Sequence, residues 1–446
     1  MTGGEDATQI LTGATSLPPV SVTTWQHVIV SLLWFALSAQ WMTVVPIIVP
    51  DQVAVILGGD SAAKEAISGT ILAAGAVVAL VVAPLSGALS DRSQHRRGRR
   101  RLFLIAGVLG SCIGLLLLLP FGHGASLWLY AAAFIFLQFW WNWVAGAYAG
   151  LIPDVMAEHE QDRASAWLNI LSVAGTVAGN VVVVATYKTG HPSGTIAAFV
   201  ALNIAILVVM LRHVREPQPG RQRSAFVLGE FLRQFYVDPR AHANFYWVLV
   251  TRLLGNMGIW SVFTFLLFYF KDVIGVAEPA QVLPALLGIG AVLAVPASII
   301  GVRYRAARYG LVHITQITSW IMAVCAFYFA LIAFYPSLAL IVPVILIYAA
   351  AFGAYQAVDW ALALKVLPSA EAAGKDMGIW RISMVLPQIL GPAITGGMIS
   401  AVKVSFGDPT AYATAFAIGA LWLMLSAALV TRVLVTVPAG NKIRTY

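Results

Sequence analysis

The loop Gly87–Arg101 reads GALSDRSQHRRGRRR and joins two stretches, residues 66–89 and 102–121, that contain no charged residue. Each stretch is long enough to cross a bilayer, which takes about 20 apolar residues in a helix. The loop itself holds six Arg residues and one Asp. Two apolar helices joined by a short basic loop are typical of a membrane protein with several spans.

The composition of the whole chain agrees with that interpretation. Of its 446 residues, 60% are hydrophobic and 10% are charged, whereas about a quarter are charged in an ordinary soluble domain. The 14 Trp, 14 Tyr and 21 Phe residues exclude disordered, collagen-like and coiled-coil classes. The two cysteines, Cys112 and Cys325, lie in apolar runs and are too few for a disulfide framework.

Twelve apolar stretches predict an all-α polytopic membrane protein with twelve transmembrane helices. The charge-free run 309–358 is too long for one span, so we divide it at the Tyr335-Pro336-Ser337 turn. The predicted spans are 25–49, 66–89, 102–121, 126–151, 165–187, 194–213, 244–271, 281–302, 313–335, 337–365, 377–402 and 409–435.

Lys and Arg residues are distributed unevenly between the loops. Alternate loops, beginning with the one at Arg92, hold 22 of the 27 basic residues, and the other loops hold only four. Basic loops stay in the cytoplasm, so the pattern predicts a multi-pass protein of the cell membrane with both termini cytoplasmic. It also accounts for the formal charge of +8, and we expect the lipid bilayer rather than a nucleic acid as the partner of these residues.

The longest polar segment, residues 212–243, separates six predicted helices from six. Short matches at an offset of 213 (Trp167 and Trp380) and of 219 (Trp41 and Trp260) suggest a duplication. We therefore predict two pseudo-symmetric six-helix bundles with a substrate site between them, as in many secondary transporters. The predicted segments are a disordered cytoplasmic tail at 1–24, an N-terminal bundle at 25–213, a cytoplasmic linker at 214–243, a C-terminal bundle at 244–435 and a cytoplasmic tail at 436–446.

The order of residues in the basic loop is more specific than its charge. Gly87 allows a neighbouring helix to come close, and Asp91 can accept hydrogen bonds from the N-terminus of a facing helix. The Arg residues can pair with carboxylates such as Asp154. Such contacts would close the cytoplasmic side, although a loop that only orients the chain or binds anionic lipid is the alternative. The predicted gate comprises Gly87, Asp91, Arg92, Arg97, Gly98, Arg99, Arg100, Arg101, Asp154 and Arg163.

The spacing of Gly87, Asp91 and Arg92, followed by basic residues, resembles the signature of the major facilitator superfamily. The closer form, with Ser90 before Asp91 and the run Arg97–Arg101, resembles the sucrose–proton symporters and the glycoside–pentoside–hexuronide cation symporters. The resemblance implies the major facilitator fold, transport by alternating access and a central cavity lined by helices 1, 4, 7 and 10.

The ionisable residues inside the spans are candidates for ion coupling, because charges are costly in a membrane. Gln138 stands where plant sucrose carriers have an Asp thought to carry the proton, and an amide cannot exchange a proton near neutral pH. Arg252 and Asp359 lie roughly 10 Å inside the cytoplasmic boundary and can form a salt bridge, with Arg381 as a competing partner. We predict that Asp359 is the coupling carboxylate; an ion pair that only steadies the half is the alternative.

Amide and Trp side chains lie near the predicted midplane of helices 1, 4, 7 and 10. Amides donate to and accept from sugar hydroxyls, and a Trp face can cover the apolar face of a pyranose. The run Phe139–Trp143 therefore suits a neutral sugar or polyol, although Trp is also common at membrane interfaces. The predicted substrate-binding residues are Gln40, Trp41, Gln138, Trp141, Asn142, Asn256, Trp260, Tyr355 and Gln356.

These features favour a secondary active transporter that moves a sugar or glycoside, a small-molecule substrate, together with protons. An uncoupled sugar facilitator, a proton-coupled exporter of drugs or metabolites, and a sensor that no longer transports remain alternatives. The sequence has no Gly-x-x-x-x-Gly-Lys-Ser/Thr loop and no clustered His or Cys. We expect a monomer that is not an enzyme, with no cofactor and no metal.

Overall fold

The computed structural model describes residues 23–59, 61–93, 95, 98–156, 160–214, 216, 242–301, 303, 307–366 and 373–433. The predicted tails, 1–24 and 436–446, lie outside the described residues except for positions 23 and 24. Most of the predicted linker, 214–243, lies outside them as well.

The described residues form the predicted all-α membrane fold. They contain ten helices long and apolar enough to cross a membrane, together with a shorter apolar helix, Arg101–Leu117. The last of the ten is two helices joined at Gly407, whose φ of 76° interrupts the helical backbone, so twelve helices result. They are α1 Thr24–Ile56, α2 Lys64–Arg92, α3 Arg101–Leu117, α4 Leu127–Ala149, α5 Gln161–Thr186, α6 Ser193–His213, α7 Ala243–Asp272, α8 Pro279–Ile299, α9 Leu311–Ile332, α10 Leu338–Val366, α11 373–406 and α12 408–429.

Helix α1 is longer than the predicted span 25–49. It continues to Ile56 through a π-helical segment, Val44–Ile48, which contains Pro46. Proline lacks an N–H and crowds the preceding turn, and a locally wider turn lets the helix continue past it. The predicted division of the long charge-free run is confirmed, because α9 ends at Ile332 and α10 begins at Leu338.

The packing of the first six helices repeats in the last six. Helix α2 packs on α4 and α3 on α4, and in the same way α8 packs on α10 and α9 on α10. The first helix of each half is also interrupted soon after a Trp: α1 in Val44–Ile48 after Trp41, and α7 at Thr264-Phe265 after Trp260. The match of Trp41 with Trp260 in the sequence therefore corresponds to a shared irregularity of the backbone.

The two halves meet through α2 against α11 and α5 against α8. Helix α2 runs from one end of the molecule to the other, so we name the two ends by its residues, the Glu65 end and the Asp91 end. The hydrogen bonds between described residues of the two halves lie at the Glu65 end, and Lys64 to Asp272 at 2.8 Å is one of them. The first helix begins at the Asp91 end, and the last helix ends there.

Large apolar side chains cover the outside of the bundle as well as its core. Val81, Ile113 and Val324 are examples, each at least half exposed on the helix surface. In water such a surface would be a liability, but lipid chains solvate it without cost. The described part of the protein is therefore built to be surrounded by a bilayer.

Candidate transport site

A small cavity lies between α1 and α4 of the N-terminal half. Its lining comes from one face of each helix, because residues three, four and seven positions apart lie on the same face. The volume in this conformation is about 20 Å³, the space of one or two water molecules. A sugar would enter only after these side chains move apart. The lining residues are Trp34, Leu37, Ser38, Trp41, Gln138, Trp141, Asn142 and Ala145.

Four of the predicted substrate-binding residues thus meet in one place. Trp41 comes from α1, and Gln138, Trp141 and Asn142 come from α4. Trp34, which the sequence analysis did not select, also lines the cavity. Two amides therefore stand among three indole rings. Hydrogen-bonding groups framed by aromatic faces can bind a neutral polyhydroxylated ring.

Gln40 points away from this cavity, contrary to the position expected of a ligand-binding residue. Its amide is completely buried and pairs with Asn203 of α6 through two hydrogen bonds, of 2.8 and 3.1 Å. The Gln40 oxygen also accepts from the indole N–H of Trp141 at 3.4 Å. In this conformation Gln40 therefore positions Trp141, whose ring lines the cavity.

The predicted ion pair in the second half is present. Arg252 of α7 donates to the Asp359 carboxylate of α10 at 2.5 Å, and each residue is only 2% exposed. Tyr355, one turn before Asp359, is fully buried beside the pair, and a Cβ on Gly255 would lie 2.6 Å from its hydroxyl. Glycine at position 255 is what allows the Tyr355 ring to approach α7.

The other predicted residues of the second half are less closely grouped. Asn256 is buried and donates to the backbone oxygen of Arg252 at 2.9 Å. Trp260 packs against α11, where a Cβ on Gly391 would lie 3.1 Å from the Trp260 Cβ. Gln356 is half-buried in α10. The side chain of Arg381 lies outside the described residues, so its predicted competition for Asp359 stays a prediction.

At the Asp91 end, a network of ion pairs surrounds Arg100. The Arg100 guanidinium is buried and donates to Asp154 at 2.6 Å, to Asp91 at 2.5 Å and to the Ala147 carbonyl at 3.1 Å. Arg99 adds two further hydrogen bonds to Asp154, one of them at 2.8 Å. Hydrogen bonding to Asp154 raises the pKa of the Arg99 guanidinium above its already high ordinary value.

Glu216, at the start of the linker, is a member of this network that the sequence analysis missed. Its carboxylate accepts from the backbone N–H of Arg100 at 2.7 Å. It lies against Gly98, whose φ of +116° is accessible to glycine and where a Cβ would come within 2.8 Å of the Glu216 carboxyl carbon. Burial raises the pKa of Glu216. A lone Glu before two prolines gave no sequence signal for this contact.

The network joins helices of one half, which differs from the expected gate across the interface. Asp91 accepts from Arg100 rather than from the N-terminus of a facing helix, and Asp154 lies just after α4 of the same half. Gly87 has the expected packing role, since a Cβ there would lie 3.3 Å from the Gly146 oxygen of α4. In this conformation the described contacts brace the N-terminal half at its Asp91 end.

The described hydrogen bonds of the remaining predicted gate residues stay within the N-terminal half, and one of these residues lies outside the described part of the chain. Arg92 donates to the Ala88 oxygen at 2.8 Å, and Arg101 donates to the Leu211 oxygen of α6 at 2.9 Å. Arg163 donates to the Thr24 hydroxyl at 3.2 Å and so connects α5 to α1. Arg97 lies outside the described residues.

Among the residues that the structure describes, no group of three or more His, Cys, Asp or Glu could hold a metal ion. The two cysteines are both buried and free.

Comparison with known protein families identifies the fold. A family model described as Major Facilitator Superfamily matches residues 30–392. The chain belongs to the major facilitator superfamily. Members of this superfamily are transporters, so this facilitator-superfamily chain is a multi-pass membrane transporter of a small molecule and not an enzyme. Curated protein sequences give no match.

Solved structures of transporters of similar length share the fold at low sequence identity. A mutant of the nucleoside transporter NupG aligns with a TM-score of 0.68 at 15% identity and covers 92% of this chain and 99% of its own. A D-xylose-proton symporter aligns with a TM-score of 0.66 at 15% identity over 90% and 97% of the two chains. A bacterial homologue of the human lysosomal transporter Spinster gives 0.64 at 16% identity over 94% and 100%.

Proposed function

We propose that this transporter imports a neutral sugar or glycoside together with protons by alternating access. The observation that carries the proposal is the cavity between α1 and α4, where the Gln138 and Asn142 amides stand among the Trp34, Trp41 and Trp141 rings. None of these five side chains carries a charge, which favours an uncharged solute. A solute rich in hydroxyl groups would use both the donors and the acceptors of the amides.

Two comparisons support this class of solute. The aligned structures include a nucleoside transporter and a D-xylose-proton symporter, and nucleosides and xylose both contain a pentose. The loop that begins at Ser90 resembles that of sucrose and glycoside symporters. We therefore place the solute among sugars and their glycosides.

Asp359 is the proposed coupling carboxylate. It is buried within the membrane-spanning part of α10 and pairs with Arg252. The positive charge of Arg252 stabilises the ionised form of Asp359. Protonation of Asp359 would release Arg252 from the pair. A buried charge that changes its pairing is a means of linking proton binding to a movement of α7 against α10.

The proposed orientation follows from the loop charges. The Asp91 end, with its Arg99 and Arg100 pairs, faces the cytoplasm together with both chain termini, and the protein resides in the cell membrane as a monomer. The contacts between the halves then lie on the outer side, and the described structure corresponds to a conformation closed to the outside.

The test is uptake of labelled sucrose, maltose and hexoses into proteoliposomes, each with and without an inward proton gradient. Accumulation above equilibrium only with the gradient supports symport. Equilibration that ignores the gradient would replace the proposal with a facilitator. Absence of sugar flux, with proton-driven efflux of an apolar drug, would replace it with an exporter, for which the three Trp rings of the cavity offer an apolar surface.

A further inference from the structure

A buried cluster of charged residues joins the two halves at the Glu65 end. Glu65, in the first turn of α2, is completely buried; it accepts from the Tyr412 hydroxyl of α12 at 2.8 Å and from Lys403 of α11 at 3.2 Å. The neighbouring Lys64 is also buried and pairs with Asp272 of α7 at 2.8 Å. All three of these contacts cross from one half to the other.

The cluster has more acids than bases. Lys403 lies 2.7 Å from Asp408 and 3.6 Å from Asp272, which adds a third carboxylate. Three carboxylates and two ammonium groups give a net charge of −1 when all are ionised. Asp408 is about one-third exposed, so water solvates part of its charge. It also shares Lys403 with the buried carboxylates Glu65 and Asp272, which are left with only part of that ammonium charge. The charged and titratable groups that surround Glu65 in the described structure are Lys64, Asp272, Lys403, Asp408 and Tyr412.

The contacts of the Tyr412 hydroxyl also indicate that the cluster lacks one proton. Its hydroxyl lies 2.8 Å from Glu65 Oε1 and 3.1 Å from Asp272 Oδ2. A hydroxyl has one hydrogen and can donate to only one of these oxygens at a time. The second contact becomes a hydrogen bond when the other carboxyl is protonated and donates to the hydroxyl. Moreover, Glu65 Oε2 is buried without a hydrogen-bond partner among the described residues.

We propose that closure of the Glu65 end binds one proton, which Glu65, Tyr412 and Asp272 hold between the two halves. The proposal rests on the alternating access of the proposed function, but not on the solute or on Asp359. When this end opens, water solvates the carboxylates and the ionised forms become stable again. The cluster is thus a second proton site, linked to the position of the two halves.

The sign of the pH effect follows from this linkage. The closed state binds more protons than the open state, so acid favours closure, by up to about tenfold in the closed-to-open ratio per pH unit. A plain ion-pair lock predicts the opposite sign, because protonation of Glu65 would remove its attraction to Lys403. The direction of the change therefore separates the two mechanisms.

The experiment measures the distance between the halves at the Glu65 end. Spin labels are placed at Gly122→Cys and Tyr335→Cys in the full chain, with Cys112 and Cys325 replaced by Ser, and pulsed electron spin resonance is recorded in lipid nanodiscs from pH 5 to 8. Both sites suit labelling, since a Cβ at Gly122 meets no atom within 4 Å and Tyr335 is 79% exposed. They lie in the α3–α4 and α9–α10 loops, one in each half.

Acid should shift the distances toward the closed population in the unmodified cluster. Glu65→Gln should be closed at every pH, and Asp272→Asn, which also removes the excess charge, should lose most of the shift. Glu278→Gln is the matched control: Glu278 is exposed at the same end, the amide oxygen can still accept from the Thr189 hydroxyl, and the variant should keep the full shift.

The proposal is overturned if acid opens this end, if pH has no effect on the distances, or if both Glu65→Gln and Asp272→Asn keep the full response. Each variant is first checked for a monodisperse profile in size-exclusion chromatography. Sugar uptake is measured separately. A pH-dependent closure without sugar flux would refute the proposed solute and leave the proton site standing.

Discussion

Arg252 and Asp359 form an ion pair of 2.5 Å in the interior of the second half. Removing one partner leaves an uncompensated buried charge, which costs about 3–5 kcal/mol, whereas replacing both by apolar side chains is often nearly neutral. We expect Arg252→Met to lower the unfolding free energy by that amount and Arg252→Met/Asp359→Leu to regain most of it. Unfolding of the purified protein in detergent measures the difference. Equal stability of the single and double variants would contradict the pairing.

The coupling role of Asp359 is separable from this stability effect. Asp359→Asn keeps the shape and removes the negative charge and the proton. We expect it to exchange labelled sugar across the membrane at equilibrium but to lose accumulation driven by a proton gradient. Exchange and gradient-driven uptake in the same proteoliposomes give the comparison. Uptake by Asp359→Asn that stays as pH-dependent as wild type would leave only the structural role.

Trp141 offers a test of the cavity with a control on the same helix. Trp141 is 4% exposed and lines the cavity, whereas Trp128, at the start of α4, is 86% exposed. We expect Trp141→Ala to weaken sugar affinity by tenfold or more, about 1.4 kcal/mol, and Trp128→Ala to leave it within twofold. Uptake kinetics across sugar concentration provide both values. An unchanged affinity in Trp141→Ala would move the site elsewhere.

The spans and the pairing of the basic loop with Asp154 could be predicted from the sequence, whereas the Arg100 contact of Asp91 and the contact of Glu216 could not. Arg99, Arg100 and Asp154 pair as expected because charges at one membrane surface have few other partners. The orientation of Gln40 could not be read in the same way. Gln40 and Trp41 are neighbours on α1, and about 100° of rotation sends one toward α6 and the other toward the cavity.

The Glu65 cluster was also beyond sequence reasoning, for a different reason. Glu65 and Tyr412 are 347 residues apart in the sequence. Each by itself resembles an ordinary residue near a membrane surface. Their contact depends on how the two halves close against each other. No periodicity or motif within one helix specifies that arrangement, which arises only where α2 meets α11 and α12.

The Gln40–Asn203 pair leads to a further prediction. Both amides are buried, and each supplies a donor and an acceptor to the other. Asn203→Leu removes two hydrogen bonds of Gln40, which keeps its bonds to the Ala36 oxygen and from Trp141, so we expect a loss of about 0.5–1.5 kcal/mol per bond. Gln40→Leu/Asn203→Leu removes both partners and should recover part of that loss. A double-mutant cycle of unfolding free energies measures the coupling. Additive effects of the two substitutions would show that the pair contributes nothing beyond its separate parts.

Asp154 and Asp91 both contact Arg100, but we expect Asp154 to contribute more to stability and Asp91 to affect the rate of transport. Asp154 is mostly buried and receives hydrogen bonds from Arg99 and Arg100, whereas Asp91 is about one-third exposed and receives one. We expect Asp154→Ala to lower stability by about 1–3 kcal/mol. Asp91→Ala should slow transport but keep ligand binding. Unfolding, binding and uptake assays on both variants test this order, and a normal uptake rate in Asp91→Ala would refute a role for Asp91 in the transport cycle.

Gly146 and Gly397 should respond in opposite directions to the same substitution. Alanine favours a helix over glycine by roughly 0.5–1 kcal/mol, and at Gly397 of α11 a Cβ would meet no atom within 4 Å. At Gly146 of α4, a Cβ would lie 2.0 Å from the Ala83 carbonyl oxygen of α2, so the two helices must separate. We expect Gly397→Ala to stabilise by that amount and Gly146→Ala to destabilise by about 1–3 kcal/mol. Thermal unfolding of the two variants beside wild type gives the sign directly. A neutral Gly146→Ala would mean that α2 and α4 can move apart freely, and the backbone approach beneath the basic loop would then have no part in holding Asp91 and Arg100 together.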